Sequence, residues 1–216
     1  GLLKIVGGKV KIIPIDLAFP VLHGKYGEDG TIQGLFEMAQ IPYVGNGVLS
    51  SSVSMDKAFT KIVAKSAKIP QAKYLEVRSD DIKRIKTTAA KIEKKLGYPC
   101  FVKPANAGSS VGITKAHNKD ELIEGLKLAA AHDSKIVVEK AVVGREIECA
   151  VLGNGSRIEA SCVGEIIAAA EFYDYDAKYN NSESKTVVPA VISKEKQDEI
   201  RNMAVKVFKA VDGSGL

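Results

Sequence analysis

Lys103 closes an apolar run, Tyr98 to Val102, and is followed by Pro104 and a loop of small residues, Ala105-Asn106-Ala107-Gly108-Ser109-Ser110-Val111-Gly112. A lysine beside such a loop suits a nucleoside triphosphate. It offers a point charge for phosphate oxygens, and the loop offers backbone N–H groups and two hydroxyls that can close over them. The order G-x-x-x-x-G-K-[ST] is absent, so the loop is not of the Walker type. Read alone, it serves equally as a flexible turn after a buried strand. His23 opens a second small-residue turn, His23-Gly24-Lys25-Tyr26-Gly27-Glu28-Asp29-Gly30, after the apolar stretch Phe19–Leu22. Ligands of open α/β sheets sit at such strand ends, although a single histidine there is also commonly structural. A third tract, Phe172 to Tyr179, sets three tyrosines and a phenylalanine among charges and runs into Asn180-Asn181. That pattern fits neither a helix face nor an alternating strand. It reads as a long functional loop, or as an aromatic loop packed on the core.

The elements that position these segments alternate between strand and helix. Leu2–Val6 and Val10–Ile15 read as a hairpin turning at Gly7-Gly8. Phe19–Leu22 reads as a short strand, and residues 31–40 as a helix with Ile32, Leu35, Phe36 and Ala39 on one face. A Gly/Ser-rich link follows through Ser54, which is placed to cap a helix over 55–67. Strands are expected at 74–77, 98–102 and 113–116, with a helix from the cap Ser79 to about Leu96. Asn118 and Glu121 form a capping-box pattern for a helix to about residue 131. Further strands are expected at 136–139, 146–152 and 158–163. Ile200, Met203, Ala204, Val207, Phe208 and Val211 mark a final amphipathic helix. The hairpin lacks a preceding βα unit and the last helix runs into a Gly-rich exit, so the chain reads as a fragment lacking both ends.

Composition excludes several classes. The 216 residues carry 31 Lys and Arg against 26 Asp and Glu, and 45% are hydrophobic, which describes a soluble globular protein. The basic excess lies on helical faces (Lys61, Lys65 and Lys68; Lys91, Lys94 and Lys95) without interleaved aromatics. These read as solvated surfaces and give no nucleic-acid footprint. No apolar run suits a membrane span and no signal peptide precedes the first strand. Cys100, Cys149 and Cys162 each sit in an apolar run and read as buried thiols in a reducing, cytoplasmic setting.

With these segments in register, the chain resembles the D-alanine–D-alanine ligases of the ATP-grasp superfamily. The resemblance rests on His23-Gly24-x-x-Gly27-Glu28-Asp29-Gly30-x-x-Gln33-Gly34, Asp56-Lys57, the Lys103–Gly112 loop, Glu139-Lys140 with Gly144-Arg145-Glu146, and Phe172–Tyr179. It implies an α/β and α+β chain of ATP-grasp architecture: a partial open α/β substrate domain over 1–45, a central subdomain over 46–138, and the start of a C-terminal ATP-clasping domain over 139–216. It further implies ATP-dependent joining of two D-alanines through an acyl phosphate, for peptidoglycan precursors, in a homodimer. D-serine or D-lactate as second substrate, or a fragment that only binds nucleotide, are the alternatives.

The resemblance also assigns roles. Lys57, Lys103 and Ser110 would meet phosphates, Glu139, Lys140 and Val142 the adenine edge, and Glu146 the ribose hydroxyls, with Tyr173 near the nucleotide. On the residues alone, Lys57 reads more readily as a solvated helix lysine, and Glu139 serves equally as a strand-end surface charge. Lys178 would reach the transferred phosphoryl group, and Tyr179 would hydrogen-bond Ser109 to orient the first substrate. His23 would help bind the first D-alanine, with Glu28 in support. His117 and His132 receive no role. Mg²⁺ ligands are expected outside the chain, which as printed is expected not to turn over.

Overall fold

The structure, a computed structural model, describes residues 2–167 and 185–216. The expected lid loop, with Tyr173, Lys178 and Tyr179, lies outside the described residues. The chain opens with the hairpin β1 (Leu2–Val6) and β2 (Lys9–Ile13), which pair antiparallel across Gly7 and Gly8. Both glycines have positive φ, 54° and 73°, as a tight primed turn demands.

Residues 19–22 form no strand. Pro20 has no N–H to donate, and the expected pairing shrinks to a single parallel bridge between Ala18 and Tyr43. Helix α1 (Thr31–Met38) follows as expected. The Gly/Ser-rich link is a helix, α2 (Val48–Met55), with Ser50 and Ser51 buried. Its serines have local acceptors that composition does not show. Ser50 Oγ donates to Asn46 Oδ1, Ser51 Oγ to the Asn46 carbonyl and Ser52 Oγ to the Asp29 carbonyl. Asn46 also joins α2 to the C-terminal tail, donating to the Leu216 carbonyl at 3.2 Å and accepting from Ser214 N at 2.8 Å.

Helix α3 (Lys57–Ser66) is capped by Asp56, not Ser54: the Asp56 carboxylate accepts from Ala58 N and Phe59 N. β3 (Tyr74–Arg78) then leads through a 3-10 turn over Ser79–Arg84 into α4 (Ile85–Leu96). Ser79 caps no α-helix: α4 starts only at Ile85 and has no side-chain cap, while in the preceding 3-10 turn the Asp81 carboxylate accepts from Arg78 N. β4 (Cys100–Pro104), β5 (Thr114–Ala116), α5 (Lys119–His132) and β6 (Lys135–Lys140) complete a four-stranded antiparallel sheet in the order β3-β6-β4-β5. The Asn118 side chain caps α5 through Asp120 N and Glu121 N.

Alternation along this sheet divides its labour. Cys100, Val102, Ile136 and Val138 point to one face, where Ala89, Ile92 and Leu96 of α4 and Leu122, Leu126 and Ala129 of α5 bury them in the main core. Phe101, Lys103, Lys135, Val137 and Glu139 point to the other face, towards α3, where Ala58, Ala105 and Val137 form a smaller apolar patch. The main core frees the second face for chemistry.

Downstream strands are shorter than expected. Residues 146–152 split into β7 (Glu146–Glu148) and β8 (Val151–Asn154); the strand expected over 158–163 ends early as β9 (Arg157–Ala160), and a separate β10 (Gly164–Ile167) begins after residue 163. The chain changes partner at these breaks: β7 and β11 (Lys185–Val187) flank β10, while β8 pairs with β9. Cys149 and Cys162 fall at the breaks, and both are more exposed than expected; only Cys100 is buried. Burial pushes the Cys100 thiol up to about 11, so it stays protonated at neutral pH. Helix α6 (Lys194–Ala210) packs on β8 and β9, and no described helix is long and apolar enough to cross a membrane.

The main core sets a stability test. Leu126 is fully buried whereas Leu128 is half exposed. Leu126→Ala should cost about 2–5 kcal/mol in urea unfolding, from lost transfer energy and the cavity left behind. Leu128→Ala should cost less than about 1 kcal/mol. Equal losses would contradict this core.

Candidate functional site

The chemistry-bearing residues meet on the sheet face beneath α3. The base of the 104–112 loop is pinned on several sides. Ala105 N donates to the Lys135 carbonyl at 2.9 Å, and the Ala105 carbonyl accepts from Lys57 N at 3.1 Å. Asn106 donates to Asp133 from its backbone N at 2.7 Å and from Nδ2 at 3.0 Å, and Nδ2 also reaches Asp56 at 3.3 Å. Asp56 closes the group with a buried ion pair to Lys135 Nζ. Burial alone would raise the Asp56 carboxyl, but the Lys135 and backbone hydrogen bonds outweigh it and hold it below the usual carboxylate range. For Asp133 burial likewise works upward, and the hydrogen bonds from Asn106 prevail.

Above this base, Lys57 Nζ donates to the Ala107 carbonyl at 2.6 Å and the Ala105 carbonyl at 3.4 Å. Burial, then the neighbouring charge of Lys103, pulls the Lys57 ammonium below the ordinary lysine value, against the carboxylates of Glu139, Asp133 and Asp56. Lys103 Nζ meets Glu139 Oε2 at 2.5 Å, and Lys61 Nζ pairs with Glu139 Oε1. Burial of Glu139 would raise its carboxyl, yet the Lys103 charge and the hydrogen bonds from both lysines hold it down. The loop tip leaves the common backbone regions, with Ser109 at φ 48° and Ser110 at φ 60°. Gly112 follows at φ 71°, where a Cβ would stand 2.6 Å from the His132 ring and 2.9 Å from Pro104.

The first small-residue turn lies across from this loop. The Glu28 carboxylate accepts from Gly24 N and ties the turn together, while Asp29 accepts from Tyr26 N and Thr31 N. A Cβ at Gly108 would lie 3.6 Å from Gly24 Cα and 4.0 Å from Glu28 Oε2. Between the two runs a cavity of about 450 Å³, lined by Glu28, Ser54, Lys57, Ala107 and Gly108 among others.

The structure thus brings Glu28, Lys57, Lys103 and Glu139 into one region, with Ser109 and Ser110 on the loop that joins them. His23 is exposed at the start of its turn. Lys140, at the end of β6, reaches the Leu96 carbonyl at 3.3 Å, and Val142 is 75% exposed just beyond it. Glu146 stands exposed at the start of β7, opposite Ile166 on a separate sheet. Among the described residues, no three His, Cys, Asp or Glu side chains converge to hold a metal ion.

Several participants went unrecognised in the sequence. Lys61, expected on a solvated face, has a side chain only 12% exposed. Its spacing gave no signal: Lys57 and Lys61 share a helix face, but so do the exposed Lys91 and Lys95 of α4. Asp133, Lys135 and Asn106 had no local signature, because their partners are distant in the chain. His132, given no role, packs on Gly112. Arg145 holds the turn before β7 to β10, its guanidinium fork meeting Glu165 at 2.5 and 2.6 Å and Nη2 reaching the Val191 carbonyl.

Two family models match the chain, described as D-ala D-ala ligase N-terminus over residues 3–46 and D-ala D-ala ligase C-terminus over residues 63–216. The chain belongs to the D-alanine–D-alanine ligase family. It is 57% identical over 203 residues to a D-alanine–D-alanine ligase of Acetivibrio thermocellus, covering 94% of this chain and 54% of that protein. It is 54% identical over 216 residues to the Ruminiclostridium cellulolyticum ligase, covering 99% and 57%. The chain therefore spans little more than half the length of these relatives. Among solved structures, the VanG D-Ala:D-Ser ligase from Enterococcus faecalis matches with a TM-score of 0.84 at 42% identity, covering 94% of this chain and 58% of that one. The D-alanine–D-alanine ligase from Coxiella burnetii matches at 0.80 and 32%, covering 99% and 58%. The mixed sheet and helix arrangement described above is that of these ATP-grasp ligases.

The lowered Asp56 carboxyl fixes the sign of a pH effect. A group whose folded value lies below its unfolded one contributes stability that is present above the unfolded value and lost as pH falls through the folded one. Asp56→Asn should lower stability at pH 7 by about 3–5 kcal/mol, the cost of breaking a buried pair. It should also reduce the loss of stability between about pH 5 and pH 3. Urea midpoints across that range check both, and an unchanged acid slope would refute the role given to Asp56.

Proposed function

We propose that the protein containing this chain joins two D-alanine molecules in an ATP-dependent ligation. ATP activates one carboxylate as an acyl phosphate, and the amine of the second D-alanine attacks that carbonyl and expels phosphate. Both steps develop negative charge around phosphoryl oxygens, so preplaced cations and N–H donors would supply most of the catalysis. What supports this reading above all is the convergence of the Lys103–Gly112 loop, with Lys57 at its side, on the Glu28 turn across one cavity.

In this proposal Lys57 and Lys103 meet the phosphates. Lys57 spends two of its three N–H donors on loop carbonyls, so it ties the loop to α3 while keeping one donor for a phosphate oxygen. Ser109 and Ser110 lend N–H groups and hydroxyls, Glu28 stiffens the turn that carries His23, and His23 meets the first D-alanine. The adenine edge runs along Glu139–Val142 and the ribose lies at Glu146. Tyr173, Lys178 and Tyr179 belong to a lid over the site. ATP enters with Mg²⁺, whose charge offsets that of the phosphates. The described residues do not form a site for the ion, so the roles assigned here rest on the lysines and the loop. The division at residues 45 and 138, a homodimeric state and a cytoplasmic location belong to the same reading.

A second reading, D-serine as acceptor, is favoured by the 42% identity to the VanG D-Ala:D-Ser ligase. Phosphate release by the full-length protein with ATP and D-alanine, alone or with D-serine or D-lactate, separates the readings by product mass. D-alanyl-D-alanine as the main product is expected; a mixed dipeptide or a depsipeptide would replace the first reading. Lys103→Ala should lower nucleotide affinity or turnover by more than about tenfold, the loss of a charge-assisted contact of about 1.5–3 kcal/mol. Unchanged kinetics would remove Lys103 from the site.

A further inference from the structure

Glu139 stands where a polyphosphate site should not tolerate it. Its carboxylate lies on the same sheet face as Lys103, one diagonal step across β4 and β6, and only 14% of the side chain is exposed. A bare carboxylate there would repel any phosphate that Lys103 attracts. The two oxygens are divided instead: Oε2 faces Lys103 and Oε1 faces Lys61. Lys61 is held for this task. It projects from α3 one turn after Lys57, and its ammonium sits 4.9 Å above the ring of Tyr74, the cross-strand neighbour of Glu139. Lys103 is the more exposed of the pair, at 24% against 12% for Lys61, and lies next to the phosphate loop. It is the lysine that can turn to a ligand, whereas Lys61 is enclosed between α3 and the sheet.

We propose that Lys61 is a positioning residue of the nucleotide site: it keeps the Glu139 carboxylate charge-balanced while Lys103 exchanges Glu139 for a phosphate oxygen. Lys61 itself touches no phosphate. Nothing covalent changes; one ion pair opens, another persists, and the ligand's negative charge takes the place of the opened partner. The inference rests on the nucleotide reading given above and extends it to a residue that reading leaves without a role.

Among the described residues, removing Lys61 leaves Lys103 as the one charged partner of a buried carboxylate. Lys103 is then held back from the ligand, because releasing it would strand the charge on Glu139. Removing the carboxylate as well should cancel the defect, and a loss of ADP affinity in Lys61→Met protein that melts like the parent separates this role from a purely structural one.

The test is a double-mutant cycle on the full-length protein, read as ADP affinity by titration calorimetry and as KM for ATP against kcat. Lys61→Met should weaken ADP binding by about tenfold and raise KM for ATP more than it lowers kcat, while Lys61→Arg stays within about threefold of the parent. In a Glu139→Gln background, Lys61→Met should cost less than about threefold. A parent-like Lys61→Met, or an equal loss in both backgrounds, overturns the proposal and leaves the nucleotide reading intact. A parent protein that binds no ADP overturns both. Thermal melts without nucleotide monitor folding, and if Lys61→Met does not fold alone, the Glu139→Gln background, which has no stranded carboxylate, and Lys61→Arg decide the question.

Discussion

The buried ion pair between Asp56 and Lys135 is the constraint on which the site depends. Each residue is only 8% exposed, and a lone charge in such a place costs several kcal/mol. The pair persists because its remaining valences are filled. Asp56 also accepts from the first turn of α3 and from Asn106, and the Lys135 ammonium lies 4.5 Å over the Phe59 ring. One carboxylate therefore caps a helix, neutralises a buried lysine and holds the base of the loop. Since it fixes where α3 begins, it also fixes where Lys57, the next residue, and Lys61, one turn later, stand over the sheet.

Much of the scaffold was legible because it obeys local rules. The run Ile136 to Val138 is too apolar for anything but an interior strand, Asn118 with Glu121 announces a helix start, and Gly7-Gly8 can only be a tight turn. Elsewhere the expectations failed for reasons beyond local pattern. The serines of 50–52 read as a link because serine disfavours helix interiors when it competes for backbone groups. Here they bond to Asn46 and Asp29, so α2 forms. Residues 146–152 look like one strand, yet the sheet partner changes within them. Past the ends of β8 and β9, Ala150 N donates to Ser161 Oγ at 3.1 Å and Ser161 N to the Ala150 carbonyl at 2.9 Å.

The site divides in the same way. Lys103, its loop and the Glu28 turn were readable because small residues beside a charge are a chemical statement in themselves. Lys61 was not. On its own helix it is indistinguishable from Lys91 on α4, which is exposed. Only the fold reveals that one lysine faces a carboxylate on β6 and the other faces water. Asn106 likewise reads as an ordinary loop residue until Asp133 and Asp56 are brought to it. A buried charge is specified by its partner, and sequence distance hides the partner.

The loop shows why pinning at its base matters. Ser109 and Ser110 both occupy the left-handed region, which costs a non-glycine residue about 1–2 kcal/mol each. Such conformations persist only where the surroundings over-determine them, and they gather where backbone must present itself to a ligand. Among the described residues, the loop is held by Asn106 clamped between two aspartates, by Lys57 drawing in the Ala107 carbonyl, and by Gly112 leaving room for the His132 ring where a side chain would collide. The same Lys57 that draws in the loop is the cation offered to the cavity, so loop geometry and site charge cannot vary independently. A change that loosened the loop would move the ammonium with it, and this coupling gives a short segment the fixed electrostatics that the proposed phosphoryl chemistry would require.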